Sequence, residues 1–181
     1  GSEGGASSEQ RCPLCVPCVN DKGEIAGHRH HFSMISVVGT GLSLPFDVEP
    51  YGPGGCESAA STCLLRRAVG QLGRRFADYA VADGLYSSAP WLHAVGDPGL
   101  RAVVRLKANL PILFAAAQAR FRDAPPTATF TDGKDRVEVW DAADFDPWET
   151  LRWSTVRVIR YRQYKPDGSV VEAYWLTDFS P

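Results

Sequence analysis

The 181 residues carry 19 Lys and Arg against 21 Asp and Glu, and the resulting net charge of −2 does not indicate a generally nucleic-acid-binding surface. This length and a hydrophobic fraction of 44% are those of one globular domain, alone or with a small appendage. No apolar stretch approaches the ~20 residues of a membrane-spanning helix, so we expect no membrane partner. Five cysteines, an odd number, argue against a closed disulfide framework and predict a reducing, cytoplasmic location.

Cysteines and histidines near the start have the spacing of a metal-binding knuckle. They are Cys12, Cys15, Cys18, His28, His30 and His31. Thiolates separated by two residues bind one tetrahedral zinc ion when the turn between them reverses the chain. We expect Cys12, Cys15 and His31 to be the zinc ligands. The alternative is a proline-rich loop of free thiols beside a histidine-rich strand.

Apolar periodicity and turn residues then predict the elements in chain order. A loop segment with the knuckle covers residues 1–27. The strands and helices that follow are strand 30–38, strand 42–49, helix 57–72, strand 76–82, helix 87–95, strand 100–106, helix 111–122, and β-type segments at 136–140, 155–161 and 170–176. This order predicts an α/β fold with a mixed sheet flanked by helices. We place the α/β core at 28–123 and a β-rich insertion subdomain at 124–181.

One carboxylate has a position typical of enzyme sites. Asp83 follows the short apolar run that we expect to be a buried strand, and a turn into a helix comes next. Open α/β sheets place their chemistry at the carboxyl ends of such strands. The alternative is that Asp83 only caps the following turn.

A series of short motifs extends this pattern over much of the chain. In order they are Cys12-Pro-Leu-Cys15, His31 at the start of a strand, Leu44-Pro-Phe-Asp-Val-Glu-Pro50, Glu57 at the start of a helix, Asp83-Gly-Leu-Tyr86 and Val103-Val-Arg-Leu-Lys-Ala-Asn109. In this order and spacing the chain resembles insertion-sequence DDE transposases from about residue 1 to 158. The segment 44–109 carries most of the resemblance.

The resemblance implies an RNase H-like catalytic core in which three acidic residues hold two magnesium or manganese ions for DNA cutting and joining. It makes Asp83 the second acid and a ligand of the divalent metal. We expect the first acid directly upstream of Gly1 and the third on a helix beyond Pro181, so the chain is expected to be a fragment that is inactive alone. Glu49 is the best local substitute, although a structural role in a turn is favoured for Asp47 and Glu49.

Basic residues with aromatic neighbours are candidate DNA contacts, because cations neutralise phosphates and aromatic rings stack on bases. The candidates are Lys107, Arg105, Arg157, Arg160, Arg162 and Lys165. The alternative is a solvated strand face. As partners, the resemblance implies double-stranded DNA of transposon ends and target, with a homo-oligomer assembled on it, in a bacterial-type nucleoid.

Two further functions stay open at this stage. The first is a non-catalytic remnant or binding module of the same fold, stabilised by zinc at the knuckle. The second is a hydrolytic nuclease, in which water replaces the DNA 3′-hydroxyl as nucleophile.

Overall fold

The chain divides into two units, Gly1–Ala77 and Asp78–Pro181. The structure is a computed structural model, and it describes residues 2, 3 and 5–179. This division does not coincide with the expected boundaries after residues 27 and 123. The expected core, 28–123, contributes to both units, and each unit has its own sheets.

The first unit consists of two antiparallel sheets and one helix. Its elements are β1 (Ser2–Glu3), β2 (Val16–Val19), β3 (Ile25–Arg29), β4 (His31–Gly39), β5 (Leu42–Tyr51) and α1 (Glu57–Leu72). One sheet has the order β1-β4-β5, and the other is the hairpin β2-β3. Helix α1 packs on β4 and β5, and its buried face consists of Ala60, Leu64, Leu65 and Ala68. This three- and four-residue spacing is that of an amphipathic helix.

Arg67 fastens α1 to β5. Its Nε lies 2.7 Å from Asp47 Oδ2, Nη1 contacts the Glu49 carboxylate, and Nη2 donates to the Val48 carbonyl at 3.0 Å. The Arg67 guanidinium, followed by the Val48 backbone N–H, holds the pKa of Asp47 below its usual value. Asp47 and Glu49 therefore have a structural role in the first unit, but they lie within strand β5 and pair with α1, and they do not form the turn that the sequence suggested.

The second unit contains a six-stranded mixed sheet with two helices. Its elements are β6 (Tyr79–Ala82), α2 (Ala89–Gly96), β7 (Arg101–Leu106), α3 (Pro111–Phe121), β8 (Ala128–Asp132), β9 (Asp135–Phe145), β10 (Val156–Tyr164) and β11 (Val170–Thr177). The strand order is β6-β7-β11-β10-β9-β8. Only the β6–β7 pair is parallel. The general prediction of an α/β fold with a mixed sheet is confirmed.

The β-rich segment after residue 123 is not a separate subdomain. Strand β11 pairs with β7 in the register Leu176–Val104, so the C-terminal strands continue the sheet that β6 and β7 begin. The sequence did not predict this because antiparallel pairing between distant segments leaves no local signature.

The buried face of this sheet holds the core of the second unit. Along β7, Ala102, Val104 and Leu106 are buried in alternation with more exposed residues, as expected for a strand with one covered face. The buried helix residues are Ala89, Trp91, Leu92 and Val95 of α2 and Leu113, Ala117 and Phe121 of α3.

No helix in the described part of the chain combines the length and apolarity needed to cross a membrane.

A charged side chain lies within this core. Arg160, on β10, is only 7% exposed. Its Nε donates to Glu172 at 2.5 Å, its Nη1 donates to the Phe121 carbonyl at 2.8 Å, and its guanidinium lies 4.4 Å from the centre of the Trp140 ring. A buried guanidinium is tolerated only with such partners, because its removal from water is costly.

We expect Arg160→Ala to lower the free energy of unfolding by about 2 kcal/mol, since it leaves the buried Phe121 carbonyl without its donor and removes the guanidinium that packs on the Trp140 ring. The matched control is Arg162→Ala, which removes a more exposed arginine that donates to the same Glu172 at 3.0 Å. It should cost less than about 1 kcal/mol. Urea denaturation followed by tryptophan fluorescence tests this, because all five tryptophans lie in the second unit. Equal losses for the two variants would contradict a core role for Arg160.

Candidate active site at the ends of strands β6 and β7

Asp83 is the first residue after β6, and its carboxylate is exposed. The side chain retains 64% of its accessible surface. Its Oδ1 also accepts the backbone N–H of Leu85 at 3.3 Å, which caps the 3₁₀ turn Gly84–Tyr86. The capping role that the sequence left as an alternative is therefore present, and it leaves most of the carboxylate accessible to ligands.

Lys107 faces Asp83 from the neighbouring strand. Because β6 and β7 run parallel, with Ala82 opposite Val104, both strands end at the same edge of the sheet. The Lys107 Nζ lies 3.0 Å from Oδ1 and 3.2 Å from Oδ2 of Asp83. The Lys107 ammonium is the main reason why the pKa of Asp83 is below its usual value. The ion pair therefore favours the charged form of the carboxylate.

Asn109 and Gly84 support this edge, and neither was predicted as a site residue from the sequence. The Asn109 side-chain amide donates to the Gly84 carbonyl at 2.7 Å and to the Ser87 hydroxyl. A Cβ at Gly84 would lie 3.0 Å from the Arg105 carbonyl oxygen and 3.2 Å from Lys107 Cδ. A side chain at position 84 would therefore crowd the two strand ends, and its neighbours would have to move by a few tenths of an ångström. Both residues lie within the motifs that carry the resemblance, but their spacing does not reveal the pairing.

The chemistry available at this edge is that of one ionised carboxylate beside one ammonium group. Carboxylate oxygens are the ligands that magnesium and manganese prefer. Among the described residues, no group of three or more acidic, histidine or cysteine ligands includes Asp83. The edge offers one hard ligand to a divalent cation, together with a cation suited to a phosphate.

The other predicted DNA contacts fall into two classes. Lys165, like Lys107, is exposed. The arginines are more constrained: Arg157 pairs with Asp141, Arg162 donates to Glu172, and Arg105 donates to the Glu172 carbonyl and lies over the Trp175 ring. The expectation for Arg160 needs correction, because this guanidinium is buried in the core and is not placed to meet a phosphate.

The predicted knuckle forms a cluster, with a different histidine. The Cys12 and Cys15 Sγ atoms are 3.7 Å apart, and His30 Nε2 lies 3.1 and 3.3 Å from them. His31 instead packs its ring on Tyr51, with centroids 5.6 Å apart. His30 therefore replaces His31 in the predicted ligand set.

Backbone groups favour the thiolate form of Cys15. The hydrogen bond from the Arg11 backbone is the largest cause, and bonds from Cys12 and His30 add to it against the effect of burial. Together they lower the pKa of Cys15 to about 7. All five cysteines of the chain are free thiols in this structure.

Comparison with known proteins does not assign a family. No protein-family model matches the chain, and a search of curated proteins gives no significant match. Function is therefore inferred from the arrangement of side chains described above.

We expect Lys107→Met to raise the pKa of Asp83 towards the ordinary value of about 3.9, since it removes the largest cause of the depression. A carboxylate with a lowered pKa stabilises the folded state above its unfolded pKa, and this contribution is lost as pH falls through the folded pKa. Carboxyl carbon shifts in an NMR titration measure the change, with Lys134→Met as the exposed-lysine control. An unchanged Asp83 titration in Lys107→Met would contradict the ion pair.

Proposed function

We propose that the chain carries part of the catalytic core of a metal-dependent enzyme that cuts and joins DNA strands, of the DDE transposase type and with an RNase H-like fold. The observation that carries this proposal is the position of Asp83 at the carboxyl end of β6, exposed and in contact with Lys107 from the end of parallel strand β7. The resemblance in sequence assigns the central acid of that enzyme class to the same residue.

The order of elements supports the proposed fold. An antiparallel hairpin, β4–β5, is followed by helix α1 in the first unit, and a parallel β6–α2–β7 arrangement begins the second unit. The general α/β character and the presence of a mixed sheet are compatible with an RNase H-like core, although the hairpin β4–β5 and the pair β6–β7 belong to separate sheets in this structure. The finer assignment is supported by the motif order from Leu44 to Asn109.

In the proposed reaction, Asp83 supplies carboxylate oxygens to magnesium or manganese. Phosphodiester transfer uses two such ions, one at the attacking oxygen and one at the leaving oxygen. Lys107 contacts both oxygens of Asp83 in the structure, so Asp83 would have to release the ammonium in order to hold a divalent cation. Displacement of Lys107 frees its charge for a DNA phosphate.

The proposed partners are the ends of a transposon and a target duplex, bound by a homo-oligomer of the complete enzyme. Lys107 and Lys165 are the exposed lysines among the candidate contacts. Non-specific binding to DNA depends on such cations because each phosphate contact releases counterions.

We expect Mn²⁺ to broaden the amide NMR signals of residues 82–86 and 107–109, because a bound paramagnetic ion relaxes nearby nuclei. One carboxylate with a competing ammonium binds a hard cation weakly, so the titration should need a large excess of Mn²⁺ over protein. The broadening should disappear in Asp83→Asn and persist in Asp123→Asn, which neutralises another exposed aspartate of the same unit. Broadening that is unchanged by Asp83→Asn would remove Asp83 from the proposed metal site.

We expect Lys107→Met to weaken binding to a DNA duplex and to reduce the slope of log affinity against log salt by about 1, the effect of one lost phosphate contact. The same variant should bind Mn²⁺ more tightly, because the competing ammonium is absent. Lys134→Met is the control and should leave both measurements unchanged. Fluorescence anisotropy over a salt series measures the affinity for DNA. Weaker Mn²⁺ binding in Lys107→Met would contradict a competition between Lys107 and the metal ion for Asp83.

The second candidate function is a non-catalytic DNA-binding or interaction module, and the cluster of Cys12, Cys15 and His30 favours it. Under this alternative the first unit binds a soft metal, while Asp83 only caps a turn. The Mn²⁺ experiment separates the two functions, because a module without catalysis requires no divalent metal at residue 83. A hydrolytic nuclease would share the Asp83 site and differ in needing no paired DNA ends.

A further inference from the structure

We propose that Cys12, Cys15 and His30 bind one zinc ion that fastens the loop before β2 to the junction between β3 and β4. These residues form the only group of three or more metal-ligating side chains found among the described residues. The site lies in the first unit and is independent of the Asp83 chemistry, because it uses soft ligands and a different part of the chain.

The distances between the ligand atoms are close to those of a zinc site. Zinc–sulfur and zinc–nitrogen bonds at a tetrahedral angle place two sulfurs about 3.8 Å apart and a sulfur and a nitrogen about 3.6 Å apart. The corresponding distances here are 3.7 Å between the sulfurs and 3.1 and 3.3 Å from each sulfur to His30 Nε2. A metal needs the imidazole to move outward by about 0.3 to 0.5 Å, which a side-chain adjustment supplies.

Strand pairing explains why His30 completes the cluster. Val16 at the start of β2 pairs with Arg29 at the end of β3. Cys15 and His30 are the next residues along these two antiparallel segments, so they lie opposite each other. His31 begins β4 and contacts Tyr51, because neighbouring residues of an extended chain point in opposite directions.

The backbone brings Cys12 to the same point. The Cys15 N–H donates to the Cys12 carbonyl at 3.1 Å, which closes a tight turn around Pro13 and Leu14. This turn packs against Gly52, where a Cβ would lie 3.1 Å from Leu14 Cα and 3.2 Å from the Pro13 carbonyl oxygen. The hairpin β2–β3, the turn 12–15 and the packing of that turn on Gly52 thus position the ligands. A bound ion would connect the turn 12–15 to His30, which lies fifteen residues after Cys15.

The ligand set selects the metal. Thiolate and imidazole ligands favour zinc over magnesium or calcium, which prefer oxygen. Cys18 is not a fourth ligand, since its sulfur accepts a hydrogen bond from Arg29 Nε at 2.7 Å. Cys15 is buried, but Cys12 is half-buried and His30 is exposed. We therefore assign the fourth position to water.

The test measures zinc uptake by the complete 181-residue chain under reducing conditions, with a chromophoric chelator as competitor. We expect one zinc per chain. Cys12→Ser, Cys15→Ser and His30→Asn should each weaken binding by more than about 100-fold, because even changes outside the ligand shell cost about 10- to 100-fold. Cys18→Ser and His31→Asn are matched controls and should bind zinc as the parent chain does.

A second measurement needs no substitution and so does not depend on the folding of a variant. Zinc should protect Cys12 and Cys15 from alkylation, while Cys18, Cys56 and Cys63 react at the same rate with and without the metal, as mass spectrometry of the peptides would show. Absence of zinc uptake by the parent chain, protection of Cys18, or loss of binding in His31→Asn but not in His30→Asn would each overturn the proposal. Neither measurement involves Asp83, so their outcome is separate from that of the proposed catalytic function.

Discussion

The parallel pairing of β6 and β7 is the constraint on which the candidate active site depends. Two parallel strands end at the same edge of a sheet, and this brings together Asp83 and Lys107, which are 24 residues apart in sequence. Helix α2 makes the connection between the strands, and its buried side chains pack on the face that β7 presents to the core. The close approach at Gly84 and the Asn109 hydrogen bonds then hold the turn that carries the carboxylate.

The rest of the sheet decides which basic side chains remain accessible. Strands β9, β10 and β11 bring acidic partners to three of the arginines, so that Arg157, Arg160 and Arg162 each pair with a carboxylate of the same sheet. Burial makes the Arg160 contact a structural one, because an unpaired guanidinium in the core would be far more costly than one at the surface. The exposed side chains of Lys107 and Lys165 remain the positive charges that a DNA phosphate could contact.

Local patterns predicted local structure well. Helix α1 has the predicted bounds, 57–72, because an apolar face of regular spacing lies between two glycine-containing turns. The strand before Lys107 was predicted, and so was the position of the candidate acid at a strand end. The prediction of a buried strand over 76–82 was wrong, because β6 covers only Tyr79–Ala82 at the outer position of the sheet and none of its residues is buried. The pairing of β11 with β7 was not, because register between segments some seventy residues apart depends on packing that periodicity does not record.

The choice between His30 and His31 shows the same limit at the scale of one residue. Both follow β3 closely, and the spacing from the cysteines suits either. The hairpin register, which pairs Val16 with Arg29, decides which imidazole faces the thiols. A one-residue change of register moves a side chain to the opposite face, so an error of one position in a predicted strand start is enough to select the wrong ligand.

The outer position of β6 in the six-stranded sheet has a consequence for how the second unit behaves in solution. An outer strand presents backbone N–H and C=O groups on the side away from its neighbour, and these groups can pair with another extended segment. Strand β6 has four residues, which limits such pairing to a few backbone bonds, while Tyr79 and Val81 on it are exposed apolar side chains. An extended segment that paired with β6 would end beside Asp83 and would hide the carboxylate from an added ligand.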